Sequence, residues 1–300
     1  MTPTASFVSL PSGVALHTLH WQPPNHTEPR TPWVLTHGLA SNARLWDGAA
    51  RRLAHHGHPV VTVDQRGHGQ SSKPEIGYDV ATCADDLAFL ISELGLKNPA
   101  VAGQSWGGNV VLELAHRHPE LVAQICCVDG GFIDLQSQFP TWEECEISLA
   151  PPALLGTPAA EVEAWIARST ADWPEEGRAG TLSNFEIQPD GTIAPLLTFD
   201  RHMAVLRGLW EHRPFEIFGA IEVPALLIAA GEHNDPRTED RERTIARALS
   251  LLPTGRAEWF IPAHHDVHAQ HPAAVADLLH RAVTRPGFYH RPSATPEAPK

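Results

Sequence analysis

A serine flanked by glycines stands in the stretch VAGQSWGG, which begins at Val101 and places Ser105 between Gly103 and Gly107. A serine hydroxyl is a weak nucleophile unless a neighbouring base takes its proton and a third group orients that base. Both helpers are on offer further along the chain. The segment WFIPAHHDVHAQHP carries His264, His265, His268 and His271. With 19 histidines in the chain, composition alone selects no base, and spacing leaves these four open. For the orienting acid, LLIAAGEHNDP offers Glu232 and Asp235, and CCVDGG offers Asp129. The chain order of serine, then acid, then histidine is the one associated with a G-x-S-x-G nucleophile. The chemistry this predicts is acyl transfer through a covalent serine intermediate. A phosphate-cradling loop is the competing use of clustered glycines, but no lysine follows them.

Such a serine needs a sharp strand-to-helix turn to expose it. PAVAGQ has the short apolar character of a buried strand, and WGGNVVLELAHRHP has helical periodicity ending at Pro119. The free N–H groups and positive dipole end of that helix would face a developing oxyanion. The same alternation runs through the chain. Strands are expected at PWVLTHG, PVVTVD, LVAQICCVDGG, VPALLIAAG and RAEWFIP. Helices are expected at NARLWDGAARRLAHHG, DVATCADDLAFLISELG, TEDRERTIARALSLL and PAAVADLLHRAVT. ASFVSL and VALHTLHW, around the Pro11–Gly13 turn, read as an antiparallel start. Strands alternating with helices imply a mostly parallel sheet covered on both faces, with functional groups at the carboxyl ends of its strands. The alternation breaks from about 134 to 219, where prolines, tryptophans and a hairpin turning at Asp190–Gly191 appear.

Composition narrows the partners. A formal net charge of -13 over 300 residues argues against nucleic acid and anionic membrane surfaces, which select basic patches. No apolar run approaches the roughly 20 residues of a bilayer span, and the N-terminus lacks a signal-peptide pattern. Cys83, Cys126, Cys127 and Cys145 have neither zinc-site spacing nor a disulfide framework, so a reduced, cytoplasmic setting without metal is expected. The C-terminal residues 286–300 are rich in proline and polar residues and read as a flexible tail.

Five stretches in order carry a family resemblance: THGLASNARLWD, VDQRGHGQSSKP, GQSWGG, GEHNDP and HHDVHAQHPAAVADLL. Over roughly residues 5 to 285 the chain resembles the α/β-hydrolase fold superfamily. The resemblance implies a mostly parallel eight-stranded sheet flanked by helices, built from 1–133 and 220–285, with a mainly helical cap at 134–219. It implies Ser105 as nucleophile. Relatives place the base seven residues before the proline opening the final helix, and Pro272 then selects His265, with His264 as competitor. His268 and His271 would pack locally or face solvent. The acid loop differs from the family pattern by an inserted residue, His233. Asp235 is favoured because Asn234 and Pro236 match its flanks; Asp129 is the alternative, since some relatives take the acid from the preceding loop. The oxyanion donors would be the backbone N–H groups of Leu39 and Trp106. His37 would shape the oxyanion loop, and Arg66 and His68 would organise a loop near the sheet top.

Serine at 105 also prunes the reactions. Dehalogenases and epoxide hydrolases of this fold use aspartate there, and the epoxide hydrolases add cap tyrosines, whereas Tyr78 and Tyr289 lie outside the insertion. Proline-cleaving peptidases carry a Gly-Gly-Pro-Gly type oxyanion loop in place of HGLAS. The expected activity is cofactor-free hydrolysis of small to medium apolar carboxylic esters. Lactone, thioester or carbon–carbon bond hydrolysis with the same triad is the alternative, and a small-molecule-binding protein with vestigial turnover is the reading of another class. Of Trp142, Trp165, Trp173, Phe185, Trp210, Phe215 and Phe218, some would line an apolar pocket, but more than half are expected to form the insertion's own core.

Overall fold

Runs of β-branched and small apolar residues form a single large sheet in the computed structural model, which describes residues 1–24 and 30–290. Its strands are β1 (Thr4–Ser9), β2 (Ala15–Trp21), β3 (Trp33–Thr36), β4 (Val60–Val63), β5 (Ala100–Gln104), β6 (Gln124–Val128), β9 (Ala225–Ala230) and β10 (Gly255–Phe260). They lie in the order β1-β2-β4-β3-β5-β6-β9-β10. The β1–β2 and β2–β4 pairs are antiparallel, and from β4 onward every pair is parallel. The shorter hairpin of β7 (Phe185–Ile187) and β8 (Ile193–Pro195) stands apart, and Gly191 supplies the positive φ of 82° that its turn requires.

The period-two alternation of each strand builds two cores. Val34, Val101, Cys127 and Leu227 join the cluster covered by α2 (Val80–Glu93), α3 (Trp106–Arg117) and α10 (Pro236–Leu251). Leu35, Ala102, Cys126 and Leu226 join the opposite cluster, covered by α1 (Asp47–His55) and α12 (Pro272–Thr284). These central strands are apolar on both faces, as a doubly covered parallel sheet demands. Each fully buried leucine among them contributes about 1.5–3 kcal/mol. Local signals set the helix ends: the Asp79 side chain accepts from Thr82 N–H to cap α2, and Pro opens α10 and α12.

Between β6 and β9 run α4 (Leu135–Gln138), α5 (Trp142–Leu149), α6 (Ala159–Ser169), α7 (Glu175–Leu182), α8 (Phe199–Glu211) and α9 (Pro214–Ile217), with the hairpin between α7 and α8. This segment has a small core of its own, centred on Ala159, Val162, Ile166 and Ile193. It sits on the sheet domain through glycines that let backbones meet. A Cβ on Gly208 of α8 would lie 2.5 Å from the Tyr78 carbonyl oxygen. On Gly180 of α7 it would lie 3.0 Å from that of Arg44.

Part of the expected tail packs on the sheet domain. Phe288 is buried, its carbonyl accepts from Arg256 Nη1 at 2.9 Å, and its ring stacks beneath that guanidinium. Residues 291–300 of the expected tail lie outside the described residues. Among the described residues no helix is long and apolar enough to cross a membrane.

Candidate active site

β5 delivers Ser105 to the carboxyl edge of the sheet, and α3 starts at the next residue. Ser105 has φ 52° and ψ -123°, a conformation that L-residues rarely adopt and that costs about 1–3 kcal/mol. Neighbours leave it no alternative. Its N–H donates to Val128 O at 2.9 Å, and its carbonyl accepts from Gly108 N–H at 2.9 Å. Backbones close in on every side: a Cβ on Gly103 would lie 2.1 Å from Gly107 O, and one on Gly130 would lie 2.0 Å from Ser105 O. The glycines that marked the sequence are therefore there to let strands and loops touch the turn.

The loop between β10 and α12, which includes α11 (Val267–Gln270), brings His265 to the same edge. His265 Nδ1 donates to Asp129 Oδ2 at 2.6 Å. Asp129 follows β6 directly, and its carboxylate is 1% exposed. The other oxygen accepts from Ala230 N–H at 3.1 Å, and Arg241 Nε approaches it to 3.5 Å. Burial pulls the His265 pKa down, but the hydrogen bond and charge of Asp129 outweigh it, and the net direction is upward from the ordinary imidazole value.

Asp235, the favoured acid, is not at this site. It is the N-cap of α10, where its side chain accepts from Arg237 N–H at 3.0 Å and forms a two-pronged pair with the Arg237 guanidinium. That guanidinium, through its hydrogen bond, holds the Asp235 carboxyl below the usual carboxylate range. The correction has a physical reason: with Pro236 at the first helical position, Asp235 is bound to the helix start it caps. The alternative acid, Asp129, is the carboxylate on His265. Glu232 and His233 are exposed. His264 lies beside Trp173, with ring centroids 5.2 Å apart, and its Nδ1 accepts from Asp266 N–H. His268 is fully buried against Trp46, and His271 stacks on Phe260.

Opposite Ser105 lies the loop after β3. Gly38 packs so closely that a Cβ there would lie 2.9 Å from that of Ser105. The Trp106 N–H, at the first position of α3, has no helical partner. Neither it nor the Leu39 N–H has a hydrogen-bond acceptor among the described residues. The loop is held by side chains. His37 Nδ1 donates to Gly38 O at 2.7 Å while its Nε2 accepts from Gln65 N–H at 3.0 Å. His68 Nδ1 donates to Arg66 O, its ring stacks on the Trp106 indole at 5.3 Å, and Arg66 makes two hydrogen bonds to Asp86. Burial holds His37 and His68 below the ordinary imidazole value, so both are neutral scaffolding. Tyr78 OH is spent on Pro74 O at 2.6 Å.

Ser105, His265, Leu39 and Gln104 line one cavity of about 240 Å³, roofed by Trp165 and Trp173. A second cavity of about 680 Å³ lies between residues 148–155 at and after the end of α5, residues 195–199 and Gly69. Ala40, Ser41 and Asn184 line both. Of the seven aromatic residues singled out in the insertion, Trp165, Trp173 and Phe185 line these cavities. The other four pack elsewhere: Trp142 against Trp210, with Arg207 over both rings, and Phe215 against Phe218. Asn42, Asn184 and Arg241 carried no signal in the sequence; their roles arise from contacts between distant segments.

Comparison with known proteins agrees with this architecture. An uncharacterized protein of Mycobacterium bovis is 36% identical over 98 residues, 33% of this chain and 28% of the relative. A 2-(acetamidomethylene)succinate hydrolase of Mesorhizobium japonicum is 30% identical over 176 residues, 58% of this chain and 61% of the relative. The matched part is thus less than two thirds of either relative. Among solved structures, an E-2-(acetamidomethylene)succinate hydrolase superposes with a TM-score of 0.76 at 22% identity, covering 94% of this chain and 98% of that one. The family model described as alpha/beta hydrolase fold matches residues 31–185, just over half of the chain. With that match and the sheet order above, the chain belongs to the alpha/beta hydrolase fold family.

Proposed function

We propose that this protein is a serine hydrolase that cleaves neutral, small to medium apolar carboxylic esters through an acyl-enzyme. The observation that carries the reading is one cavity holding a strained, half-buried serine together with a histidine whose far nitrogen is bound by a buried carboxylate. Ser105 Oγ attacks the acyl carbon while His265 Nε2 takes its proton. The oxyanion is held by Leu39 and Trp106 N–H groups. The ester C–O bond then breaks, and His265 returns the proton to the departing alcohol. A water, deprotonated by His265, attacks the acyl-enzyme and frees the acid and Ser105. Asp129 fixes the tautomer and stabilises the imidazolium.

The walls favour a neutral substrate. The Mesorhizobium relative is named for a succinate, and carboxylates of that kind call for Arg or Lys partners. Neither cavity here is lined by Arg or Lys, and Asp266 adds negative charge beside His265. His202, in the larger cavity, is pushed down to about 4 by burial and is neutral at pH 7.

The test is hydrolysis of p-nitrophenyl esters from acetate to decanoate, with a fluorophosphonate label on Ser105. Turnover abolished by Ser105→Ala, together with labelling of wild type alone, is the expected result. A folded protein that neither hydrolyses any of these esters nor takes the label refutes the proposal.

A further inference from the structure

Where the two cavities meet, the side-chain amide of Asn184 has a fixed orientation. Asn42 Oδ1 accepts from Arg44 N–H at 2.8 Å, so the other end of that amide is its NH2 group. That group donates to Gly180 O at 2.9 Å and to Asn184. The atom of Asn184 facing Asn42 is therefore its oxygen, and its own NH2 group points away from Asn42. Among the described residues this NH2 has no acceptor, although Asn184 lines both cavities. Ser41, also shared by the cavities and 9% exposed, has a hydroxyl without a partner among the described residues. The walls beyond are mostly Leu, Pro, Ala and Phe, with Ser148, Thr198 and His202 the other polar residues of the larger cavity. A preoriented donor at the mouth of an apolar chamber is costly to leave unpaired when a ligand excludes water.

We propose that Asn184 is a specificity-determining donor. It selects esters whose apolar arm carries a neutral oxygen acceptor, a keto or ether oxygen, a few atoms from the scissile carbonyl. The rest of the arm fills the larger cavity. This rests on the esterase reading and adds the substrate class. The same asparagine pair ties the loop after β3 to α7 and the residues that follow it.

The experiment compares matched esters. On the acyl side these are p-nitrophenyl octanoate and the 4-oxo-, 5-oxo- and 6-oxo-octanoates. On the alcohol side they are heptyl acetate and 2-butoxyethyl acetate. Wild type should prefer at least one oxygen-bearing ester by ~3- to 10-fold in kcat/KM, the worth of one neutral hydrogen bond. In Asn184→Ala and Asn184→Asp that ratio should fall to the value of the uncatalysed reactions, whatever happens to the absolute rates. Asn184→Asp keeps an oxygen for Asn42 but replaces the donor by a charged acceptor, and Asn184→Ala removes the donor without adding charge, so a purely structural role would leave the Asn184→Ala ratio as in wild type. Ratios unchanged in Asn184→Ala overturn the proposal while leaving the esterase reading intact. If no ester is turned over, the esterase reading fails, and Kd values in a Ser105→Ala background, read from tryptophan fluorescence, decide the donor separately. Equal Kd for heptyl acetate and 2-butoxyethyl acetate, with or without Asn184→Ala, then overturns it.

Discussion

Replacing Asp129 by asparagine separates the two candidate acids. The Asp129 carboxylate is 1% exposed and divides its oxygens between His265 Nδ1 at 2.6 Å and Ala230 N–H at 3.1 Å. An asparagine of the same shape keeps an oxygen for the Ala230 N–H and turns its NH2 group toward His265. That NH2 demands an unprotonated Nδ1, which moves the ring proton to Nε2, the atom that must accept from Ser105. The base is lost without a change in volume. The imidazolium also loses a negative charge in direct contact. A wrong tautomer of this kind can cost as much as ~10⁴ in kcat, about 5.4 kcal/mol of barrier at 1.36 kcal/mol per decade.

Asp235→Asn is the control. Asparagine caps a helix as well as aspartate does, and the Asp235–Arg237 pair is exposed. Its kcat is expected within about twofold of wild type. The assay is steady-state hydrolysis of a short p-nitrophenyl ester, with circular dichroism to establish that both variants are folded. A folded Asp129→Asn protein that keeps more than a tenth of wild-type kcat refutes the argument. So does an Asp235→Asn protein that loses more than a hundredfold.

Two further outcomes follow from the titrating groups. Because Asp129 raises the His265 pKa and only neutral His265 accepts a proton, kcat/KM should fall as pH drops through a midpoint above ~6.5; a wild-type limb below ~6 in a pH-rate profile contradicts this. His268 is pushed down to about 3, mainly by burial, so between ~6.5 and that value the unfolded chain binds a proton that the folded one refuses. Stability should fall with pH across this window, with a limiting slope of about 1.4 kcal/mol per pH unit from this one residue, and His268→Phe, which keeps a ring on Trp46, should flatten the slope in urea denaturation at pH 7 and 4.5.

The core of the fold was legible because its signals are local and repeated. Val34, Val101 and Leu227 announce buried strands by their neighbours in sequence, and Gly103, Ser105 and Gly107 announce the elbow by spacing. At Asp235 the family flanks and capping chemistry point in different directions, and the structure follows the capping chemistry. Asn-Asp-Pro ahead of a helical run is a start signal in itself, with aspartate as N-cap and proline at the first position. The glycines after Asp129 carried the opposite message. Asp129 adopts φ 44°, and Gly130 must lack a Cβ because the Ser105 carbonyl lies against it. Two glycines after a buried strand thus mark the loop that touches Ser105. No such signal exists for Asn184 or Arg241, whose partners Asn42 and Asp129 lie more than a hundred residues away.

The backbone at Ser105 allows a test of why that residue is a serine at all. Its φ of 52° and ψ of -123° cost an L-residue about 1–3 kcal/mol, and glycine escapes this cost. Glycine in turn loses about 0.4–1 kcal/mol through the greater freedom of the unfolded chain. Comparing Ser105→Gly with Ser105→Ala removes the hydroxyl from both sides, so the difference reports the backbone alone. Ser105→Gly should be the more stable by about 1 kcal/mol in urea denaturation, while both are inactive. An alanine variant more stable by about 0.4–1 kcal/mol, the full entropic difference, would mean that the turn is not strained and that the argument from strain to function fails. If glycine is favoured, stability alone would select it here, and a serine at this position is held against that preference by the chemistry of its hydroxyl.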